Sequence, residues 1–319
     1  MTETPATDEI AHEPSQEFVE STNVWQFMQE YGIDDYDALI ERTTTELDDV
    51  PDSGVDWFWD ELVDYLGLEF YEDYDEVRDD SEARSASEGA SGETASRGGP
   101  QFTDWYPGGE LNIAHNTVDR HAGVDSETRN TVACLWEGED GEVREITYHD
   151  LHRQANQVAN ALEERGIETG DTVGLYMPMV PEVIAILYGC FKVGAIAVPI
   201  FSGFGVDATA TRIADAECSV LFTGDGFQRR GSDVLLKASA DEAIDEAGHV
   251  EHTIVYDRLG HVGTDEIPWV DDRDERWTDA VASQDDTYET KSLASSQESM
   301  LLYSSGTTGK PKEIGRAHV

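Results

Sequence analysis

The sequence predicts an α/β protein whose mostly parallel sheet is flanked by helices, and two observations carry this prediction. From about residue 130 onward, short apolar runs alternate with longer amphipathic segments. In addition, 39% of the residues are hydrophobic, which argues for a packed core and against a disordered acidic chain. Such alternation is typical of chains in which a helix follows each strand and packs on the sheet. Ligands are therefore expected at the loops that follow the strands.

The first hundred residues follow a different pattern. Residues 1–20 are polar and are predicted to form a disordered tail, whereas residues 21–80 carry helical periodicity and predict a small helical unit. Residues 81–100 are rich in Ser, Gly, Ala and Glu, which predicts a flexible acidic linker. Within the helical unit, apolar residues at helical spacing predict one buried stripe: Val55, Phe58, Trp59, Leu62 and Leu66.

The remaining elements are predicted in chain order from hydrophobic period and turn residues. Two strands form a hairpin around a glycine-containing turn, at 132–136 and 142–147. The predicted helices lie at 148–165, 181–193, 207–216 and 237–246. The other predicted strands lie at 172–177, 195–199, 219–223, 253–256 and 300–303. Asp207 is expected to cap its helix, because aspartate accepts hydrogen bonds from the first free N–H groups.

The charge of the chain limits its partners. There are 68 acidic and 21 basic residues, a formal net charge of −47, and only five lysines. Such a surface repels phosphate backbones, so no nucleic-acid partner is expected. In dilute buffer the charge opposes compaction, whereas in molar salt the Debye length falls to ~3 Å and screens the repulsion. We therefore expect the cytoplasm of an organism that accumulates salt.

The cysteines and the apolar runs agree with a cytoplasmic location. Cys134, Cys190 and Cys218 lie in apolar surroundings without C-x-x-C spacing, which predicts buried thiols in place of disulfides or a zinc site. The chain begins with polar and acidic residues, and no apolar stretch reaches the ~18 residues that a membrane helix needs. No membrane partner is therefore expected.

The run at 303–312, YSSGTTGKPK, predicts a phosphate-binding loop. Two glycines three positions apart let the backbone approach a ligand, while hydroxyls, N–H groups and lysines can surround phosphate oxygens. A Walker A loop instead has four residues between its glycines and a Ser or Thr after the lysine. Here Pro311 follows Lys310 and has no hydroxyl to hold a metal. The predicted phosphate-binding residues are Ser304, Ser305, Gly306, Thr307, Thr308, Gly309, Lys310 and Lys312.

The same run resembles the phosphate-loop signature of the adenylate-forming, or acyl-CoA synthetase, superfamily at every position. A second segment, WYPGGELN at 105–112 followed by NTVDRH at 116–121, is similar to a marker of the acetyl-CoA synthetase branch. Taken without the family, this segment predicts a packed loop in which Asp119 pairs with Arg120. The resemblance extends over about residues 20–312.

The resemblance implies both a fold and a chemistry. Residues 21–80 would form the helical N-terminal cap of the acetyl-CoA synthetase type, and residues 101–312 the first part of a truncated AMP-binding (adenylation) domain. The implied reaction activates a short-chain acid, foremost acetate, through acyl-AMP to acyl-CoA, with ATP, Mg²⁺ and coenzyme A as cofactors. In the family the acyl pocket and the C-terminal lysine lie later in the chain. No catalytic residue is therefore assigned here, and the chain alone is expected to be inactive.

Two alternative functions stay open at this point. The acid could be propionate or another carboxylic acid, because the residues that would size the acyl group lie beyond Lys312 in the family. The protein could also be a non-catalytic acidic binding protein. The C-terminal lysine motif, which an enzyme of this family needs, would separate these two classes.

A partial match concerns coenzyme A. The segment DGFQRRG at 225–231 is similar to an Arg-x-Gly-Arg run whose arginines bind coenzyme A phosphates in acetyl-CoA synthetases. Arg229 falls on the first arginine and Ser232 on the second, with Arg230 as a candidate substitute. Guanidinium groups suit phosphate, but they equally suit ion pairs with neighbouring carboxylates. Both interpretations stay open.

The histidines are interpreted as structural, and no metal ligand is assigned. Two pairs are spaced i, i+3, but no cysteine or third histidine completes a zinc site beside either pair. The family to which the chain is similar uses none of them. The residues concerned are His115, His121, His149, His152, His249 and His252.

The last seven residues depart from the family pattern. After Lys312 the pattern continues with glycine, whereas this chain continues EIGRAHV, which is the in-frame translation of a common sequencing adapter. Residues 313–319 are therefore predicted to be a non-native tail.

Overall fold

The computed structural model describes residues 13–47, 49–50, 52–81, 103–304 and 312–318, of which Ser304 and 312–318 are described by their backbone. Most of the predicted tail and linker therefore lies outside the described residues. The chain divides into two compact units, Met1–Leu68 and Glu69–Val319. The first unit ends before residue 80, where the sequence placed the end of the helical unit. The reason is that the segment around Arg78 pairs with Trp105 in the second unit.

The described part of the first unit is helical. Its helices are α1 (Gln16–Glu20), α2 (Asn23–Glu30), α3 (Tyr36–Thr44) and α4 (Gly54–Leu66). α1 lies inside the segment predicted as a tail, and it begins there because the Ser15 hydroxyl accepts a hydrogen bond from the N–H of Phe18. Thr22 and Asp35 cap α2 and α3 in the same way.

The buried face of α4 differs from the predicted stripe. Trp59 and Leu66, which the periodicity placed in the core, are exposed. Aromatic packing determines the face that is buried, because rings of α4 gather around Phe27 at centroid distances of 5.3 to 6.4 Å. These rings belong to Trp57, Phe58 and Tyr65.

The second unit contains the strands. In chain order they are β1 (Arg78–Asp79), β2 (Asp104–Trp105), β3 (Glu110–Leu111), β4 (Val132–Glu137), β5 (Val143–Thr147), β6 (Thr172–Tyr176), β7 (Ile196–Pro199), β8 (Val220–Gly224), β9 (Gly226–Arg229), β10 (Ser232–Leu235), β11 (His252–Tyr256), β12 (Asp274–Arg276), β13 (Leu293–Ala294), β14 (Glu298–Ser304) and β15 (Lys312–His318). Antiparallel pairing joins β4 to β5 and β9 to β10 in hairpins, and it also joins β1 to β2 and β3 to β13.

A seven-stranded sheet forms the centre of this unit, in the order β12-β11-β8-β6-β7-β14-β15. The first six strands in this order are mutually parallel, and β15 is antiparallel to β14. β6 comes first in the chain, with β7 on one side and β8 on the other, so the strand order reverses at β6. Ligands of open parallel sheets bind outside the carboxyl ends of the strands at such a point. The predicted α/β fold with a mostly parallel sheet is confirmed.

Helices cover both faces of the sheet. They are α5 (Arg120–Ala122), which continues a π-helical turn at His115–Asp119, and α6 (Tyr148–Glu164), α7 (Glu182–Val193), α8 (Val206–Asp215), α9 (Lys237–Ala247) and α10 (Trp277–Ala280). One core cluster joins α6 and α7 to one face, and a second joins α8 and α9 to the other. α6 and α7 approach closely at Gly189, where an added Cβ would lie 2.4 Å from Cγ1 of Val158.

The elements predicted between residues 132 and 303 are present, with two kinds of correction. The predicted cap at Asp207 is wrong, because α8 begins at Val206 and its N-cap is Gly205. The sequence analysis also missed the β9–β10 hairpin and β12. β9 and β10 are short and largely exposed, so they lack the apolar run that predicts a buried strand.

The cysteines are free thiols, and Cys190 and Cys218 are buried as predicted, whereas Cys134 is only partly buried. Burial raises the pKa of Cys190, and it raises the pKa of Cys218 to about 12, so both thiols stay protonated near neutral pH. Among the residues that the structure describes, no helix has the length and apolar character required to cross a bilayer.

Candidate functional site

The two strands that flank the predicted phosphate loop are paired with each other. β14 and β15 form an antiparallel ladder that ends with Ser304 opposite Lys312. Apart from Lys312, β15 consists of residues of the predicted non-native tail, so the position of the loop is argued from β14. The loop residues themselves lie outside the described residues: Ser305, Gly306, Thr307, Thr308, Gly309 and Lys310.

The strand that leads into this loop is anchored on the sheet by backbone and side chains. Met300 pairs with β7, and Leu301 is only 4% exposed within the core. The hydroxyl of Tyr303 donates a hydrogen bond of 2.9 Å to Asp215, and the guanidinium carbon of Arg212 lies 5.5 Å from the centroid of the tyrosine ring. The residue before Ser304 is therefore held in place, as the predicted buried strand requires.

A cleft of about 300 Å³ opens at the carboxyl ends of the parallel strands. It is lined by loops that follow the strands, where the sequence predicted ligands, and it lies at the point where the strand order reverses. Segments that follow four different strands line it: Met179 after β6, Ser202 after β7, Arg229 after β8 and Arg258 after β11.

The β9–β10 hairpin brings Arg229 to this cleft. Arg229 and Ser232 lie opposite each other and close a two-residue turn formed by Arg230 and Gly231. Both turn residues have positive φ, 53° and 75°, which is the backbone that such tight hairpin turns require. Arg230 is exposed at the turn and does not line the cleft, whereas Arg229 does. The two candidate arginines are therefore placed differently.

Asp225 organises the loop that carries Arg258, and sequence analysis missed both residues. The Asp225 carboxylate is fully buried and accepts hydrogen bonds from the N–H groups of Gly226, Arg258, Leu259 and His261, at 2.8 to 3.0 Å. One carboxylate thereby fixes the chain that follows both β8 and β11. The available signal was positional, since Asp225 and Arg258 each directly follow a predicted strand or lie within two residues of its end.

The β4–β5 hairpin forms the opposite, acidic wall of the cleft. Arg258 donates hydrogen bonds to the carboxylates of Asp140, at 2.6 Å, and Glu142, at 2.9 Å. The guanidinium carbon also lies 5.3 Å from the ring centroid of Trp136, whose Nε1 donates a hydrogen bond to the Met179 carbonyl. The N–H of Glu142, followed by the guanidinium of Arg258, lowers the pKa of Asp140.

The segment at 105–121 has a structural role in the described protein. Asn112 is fully buried, and its amide donates hydrogen bonds to the carbonyls of Phe191 and Lys291, at 2.8 and 2.9 Å. Asp119 pairs with Lys192 of α7, whereas the sequence suggested its neighbour Arg120. The segment thus ties distant parts of the chain together and lies outside the cleft lining.

Asp119 is the centre of a buried polar cluster. Its carboxylate lies 2.8 Å from Nδ1 of His152 and accepts a hydrogen bond of 2.6 Å from Thr290, in addition to the Lys192 contact. Burial alone raises the pKa of Asp119, but the contacts with His152 and Lys192 outweigh it and lower the pKa to about 2. Burial lowers the pKa of Lys192 although Asp119 opposes that shift. We take the pair as ionised, because both partners are hydrogen-bonded.

The histidines singled out from the sequence lie apart from the cleft. Their described contacts are with carboxylates, backbone carbonyls or neighbouring side chains, as for His115 with Glu69 at 2.6 Å and His249 with the Ile213 carbonyl at 3.2 Å. Within the described ranges, no three His, Cys, Asp or Glu side chains come together as metal ligands would.

The sequence that forms this sheet and cleft matches a known protein family. A sequence model described as "AMP-binding enzyme" matches residues 119–318, which include the sheet, the cleft and the strands that flank the loop. The chain belongs to the AMP-binding enzyme family. The resemblance at residues 303–312 is therefore part of a family match that extends over more than half of the chain.

Several relatives of this AMP-binding family member carry the name acetyl-coenzyme A synthetase. The protein of Deinococcus radiodurans is 37% identical over 315 residues, covering 96% of this chain and 42% of the relative. That of Streptomyces coelicolor is 41% identical over 222 residues, covering 70% of this chain and 33% of the relative. The chain thus spans less than half the length of these relatives.

A solved structure has the same fold. Acetoacetyl-CoA synthetase from Streptomyces lividans superposes with a TM-score of 0.77 at 24% sequence identity, covering 94% of this chain and 42% of that structure. At this identity the similarity concerns the fold of the AMP-binding family member alone.

Proposed function

We propose that the protein containing this chain activates a short-chain carboxylic acid with ATP, through acyl-AMP, and transfers the acyl group to coenzyme A. The observation that carries the proposal is the loop at 303–312. Its sequence matches the signature at every position, and it follows directly on β14, which lies in the sheet parallel to β7. Anion sites of α/β proteins are built where loops follow such strands.

In this reaction the loop would act on the phosphates of ATP. The acid's carboxylate attacks the α-phosphorus, forming acyl-AMP and releasing pyrophosphate. The hydroxyls and N–H groups of the loop would hold the β- and γ-phosphates, and Lys310 would neutralise charge that develops on the leaving group. Mg²⁺ bound together with ATP would supply further charge neutralisation at the phosphates.

The cleft at the strand reversal suits the phosphate end of coenzyme A. Arg229 and Arg258 project from loops after β8 and β11, and guanidinium groups recognise phosphate with two parallel hydrogen bonds. We assign Arg229 to this role, with Arg230 at the adjoining turn as a second positive charge. The coenzyme A thiol then displaces AMP from acyl-AMP and forms the thioester.

Acetate is the proposed acid because relatives that cover nearly all of this chain carry the name acetyl-coenzyme A synthetase. We further propose that the 319-residue chain forms no acyl-CoA by itself, since it spans less than half of those relatives. Pyrophosphate exchange with acetate and with propionate, in the complete reading frame and in the 319-residue chain, tests both statements.

The same assay tests the loop. In the complete protein, Lys310→Ala and Thr307→Ala should each lower kcat/KM for adenylation while the fold stays intact. The expected loss of transition-state stabilisation is about 2–4 kcal/mol for each variant. Lys291→Ala is the matched control, because this lysine is one-third exposed, pairs with Glu163 and is not one of the predicted phosphate-binding residues. Equal kcat/KM in parent and loop variants would remove the loop from the mechanism.

A further inference from the structure

The cleft has two walls of opposite charge. The basic wall carries Arg229 and Arg258, and the acidic wall is the turn between β4 and β5. We call the three carboxylates of this turn the acidic tip: Glu139, Asp140 and Glu142. A phosphate entering the cleft would meet both walls, so the acidic tip needs an explanation.

The acidic tip holds the guanidinium of Arg258 on two sides. Nη2 donates to Asp140 at 2.6 Å, and Nη1 donates to Glu142 at 2.9 Å, while the arginine side chain remains 22% exposed. A phosphate group can accept the same two hydrogen bonds, one from each terminal nitrogen, with two of its own oxygens. The carboxylates therefore stand where phosphate oxygens would bind.

The third carboxylate of the tip makes an equivalent contact with the backbone. Glu139 accepts a hydrogen bond from the N–H of Arg230, at the turn of the β9–β10 hairpin. That N–H belongs to a residue with positive φ, followed by a second, in a backbone arrangement known to bind anions. The acidic tip thus occupies both a guanidinium and a backbone donor beside the cleft.

The backbone of Arg258 is held in place without the acidic tip. Its own N–H and those of Leu259 and His261 are bound by the buried Asp225 carboxylate. Ion pairs whose partners are partly exposed contribute little net free energy. The tip can therefore release the guanidinium while the backbone that carries it stays in place.

We propose that Arg258 is a phosphate-binding residue of the cleft, and that the acidic tip is an internal anion which holds its guanidinium until a phosphate group replaces it. The proposal rests on the proposed function, because the ligand is the adenosine 3′,5′-bisphosphate end of coenzyme A. The proposal adds Arg258 to the phosphate-binding residues. It also states that the acidic tip competes with phosphate for this guanidinium and thereby sets the affinity of the site.

The test is calorimetric titration of the complete protein with adenosine 3′,5′-bisphosphate in molar KCl. Asp140→Asn with Glu142→Gln removes the competitor and should tighten binding several-fold. Arg258→Gln should weaken binding roughly tenfold, as expected for a lost charge-assisted pair. Adding the tip substitutions to Arg258→Gln should then change affinity little, because the tip acts through this guanidinium. Arg258→Lys keeps the charge without the fork and should bind with intermediate affinity.

A matched control separates local competition from overall charge. Glu164→Gln with Asp286→Asn also removes two carboxylates that face arginines, away from the cleft. Equal tightening by this control, or additive effects of the tip and Arg258 substitutions, would overturn the proposal. Circular dichroism of each variant checks that it is folded.

Arg229→Gln separates the proposal of a coenzyme A site from the proposal that the acidic tip competes for Arg258. If the parent binds and Arg229→Gln weakens binding while the tip and Arg258 variants behave as the parent, the internal-anion proposal fails and the coenzyme A site stands. If the parent does not bind adenosine 3′,5′-bisphosphate, the assignment of this cleft to coenzyme A fails, and the role of Arg258 fails with it.

Discussion

The ammonium group of Lys192 lies 2.5 Å from the carboxylate of Asp119, and the lysine side chain is completely buried. The pair links α7, which carries Lys192, to the segment that precedes α5, which carries Asp119. The Thr290 hydroxyl is hydrogen-bonded to both groups and so connects a third segment of the chain. Because none of these residues lines the cleft, substitutions here test stability separately from ligand binding.

Asp119 should make stability depend on acid pH. Its pKa of about 2 in the folded protein lies below the ~3.9 of an unfolded aspartate, so the contact stabilises the fold above about pH 4. This contribution, about 2–3 kcal/mol, is lost as the pH falls through the folded pKa. Between pH 4 and pH 2, the unfolding free energy of Asp119→Asn should therefore fall by about 2 kcal/mol less than that of the parent, measured by denaturant unfolding. Asp286→Asn, at an exposed ion pair, should follow the parent.

Lys237 should be costly to remove. It is fully buried and donates to Asp241 at 2.6 Å and to Asp274 at 2.7 Å, and Asp274 is itself buried. Lys237→Met leaves two carboxylates with less compensation and should destabilise the protein by about 3–5 kcal/mol. Lys291→Met, at a partly exposed pair, should cost less than about 1 kcal/mol. A loss at Lys237 no larger than at Lys291 would contradict this expectation.

Gly189 should tolerate no side chain while Val158 faces it. An added Cβ would lie 2.4 Å from Cγ1 and 2.6 Å from Cβ of Val158, so Gly189→Ala should force α6 and α7 apart at a cost of about 1–3 kcal/mol. Combining it with Val158→Ala should recover part of that loss in thermal unfolding. Gly123→Ala is the control, because its nearest contact would be 4.0 Å away. Absence of any rescue would show that the clash is not with Val158.

Salt should stabilise the fold strongly. With a net charge of −47, repulsion is long-ranged in dilute buffer, whereas the Debye length shortens from ~10 Å at 0.1 M to ~3 Å at 1 M. The thermal midpoint should therefore rise steeply over this range of KCl. Glycerol at matched osmolality controls for effects other than screening. A midpoint that is flat across the KCl series would refute the salt-dependent interpretation of the composition.

The sequence predicted the elements of the sheet better than their arrangement. Apolar runs such as 172–177 identify strands because burial on both faces demands them, but nothing local encodes that β6 lies between β7 and β8. The phosphate loop was identifiable because its chemistry is contiguous in sequence. Only part of the cleft could be predicted from the sequence. Arg229 lies in a recognisable run, whereas Asp225 and Arg258 come together only through folding. On α4, the rings around Phe27 overrode the predicted stripe.

The position of β14 has a consequence for folding kinetics. β14 joins the sheet beside β7, yet about a hundred residues of chain, including β8, β11 and β12, separate the two strands. Closing so long a segment costs entropy that only later contacts repay, so pairings of this kind form slowly. We expect amides of β14 to gain protection from hydrogen exchange after those of β6, β7 and β8 during refolding. The strand that leads into the predicted phosphate loop would then be added last, to a sheet whose cleft already exists.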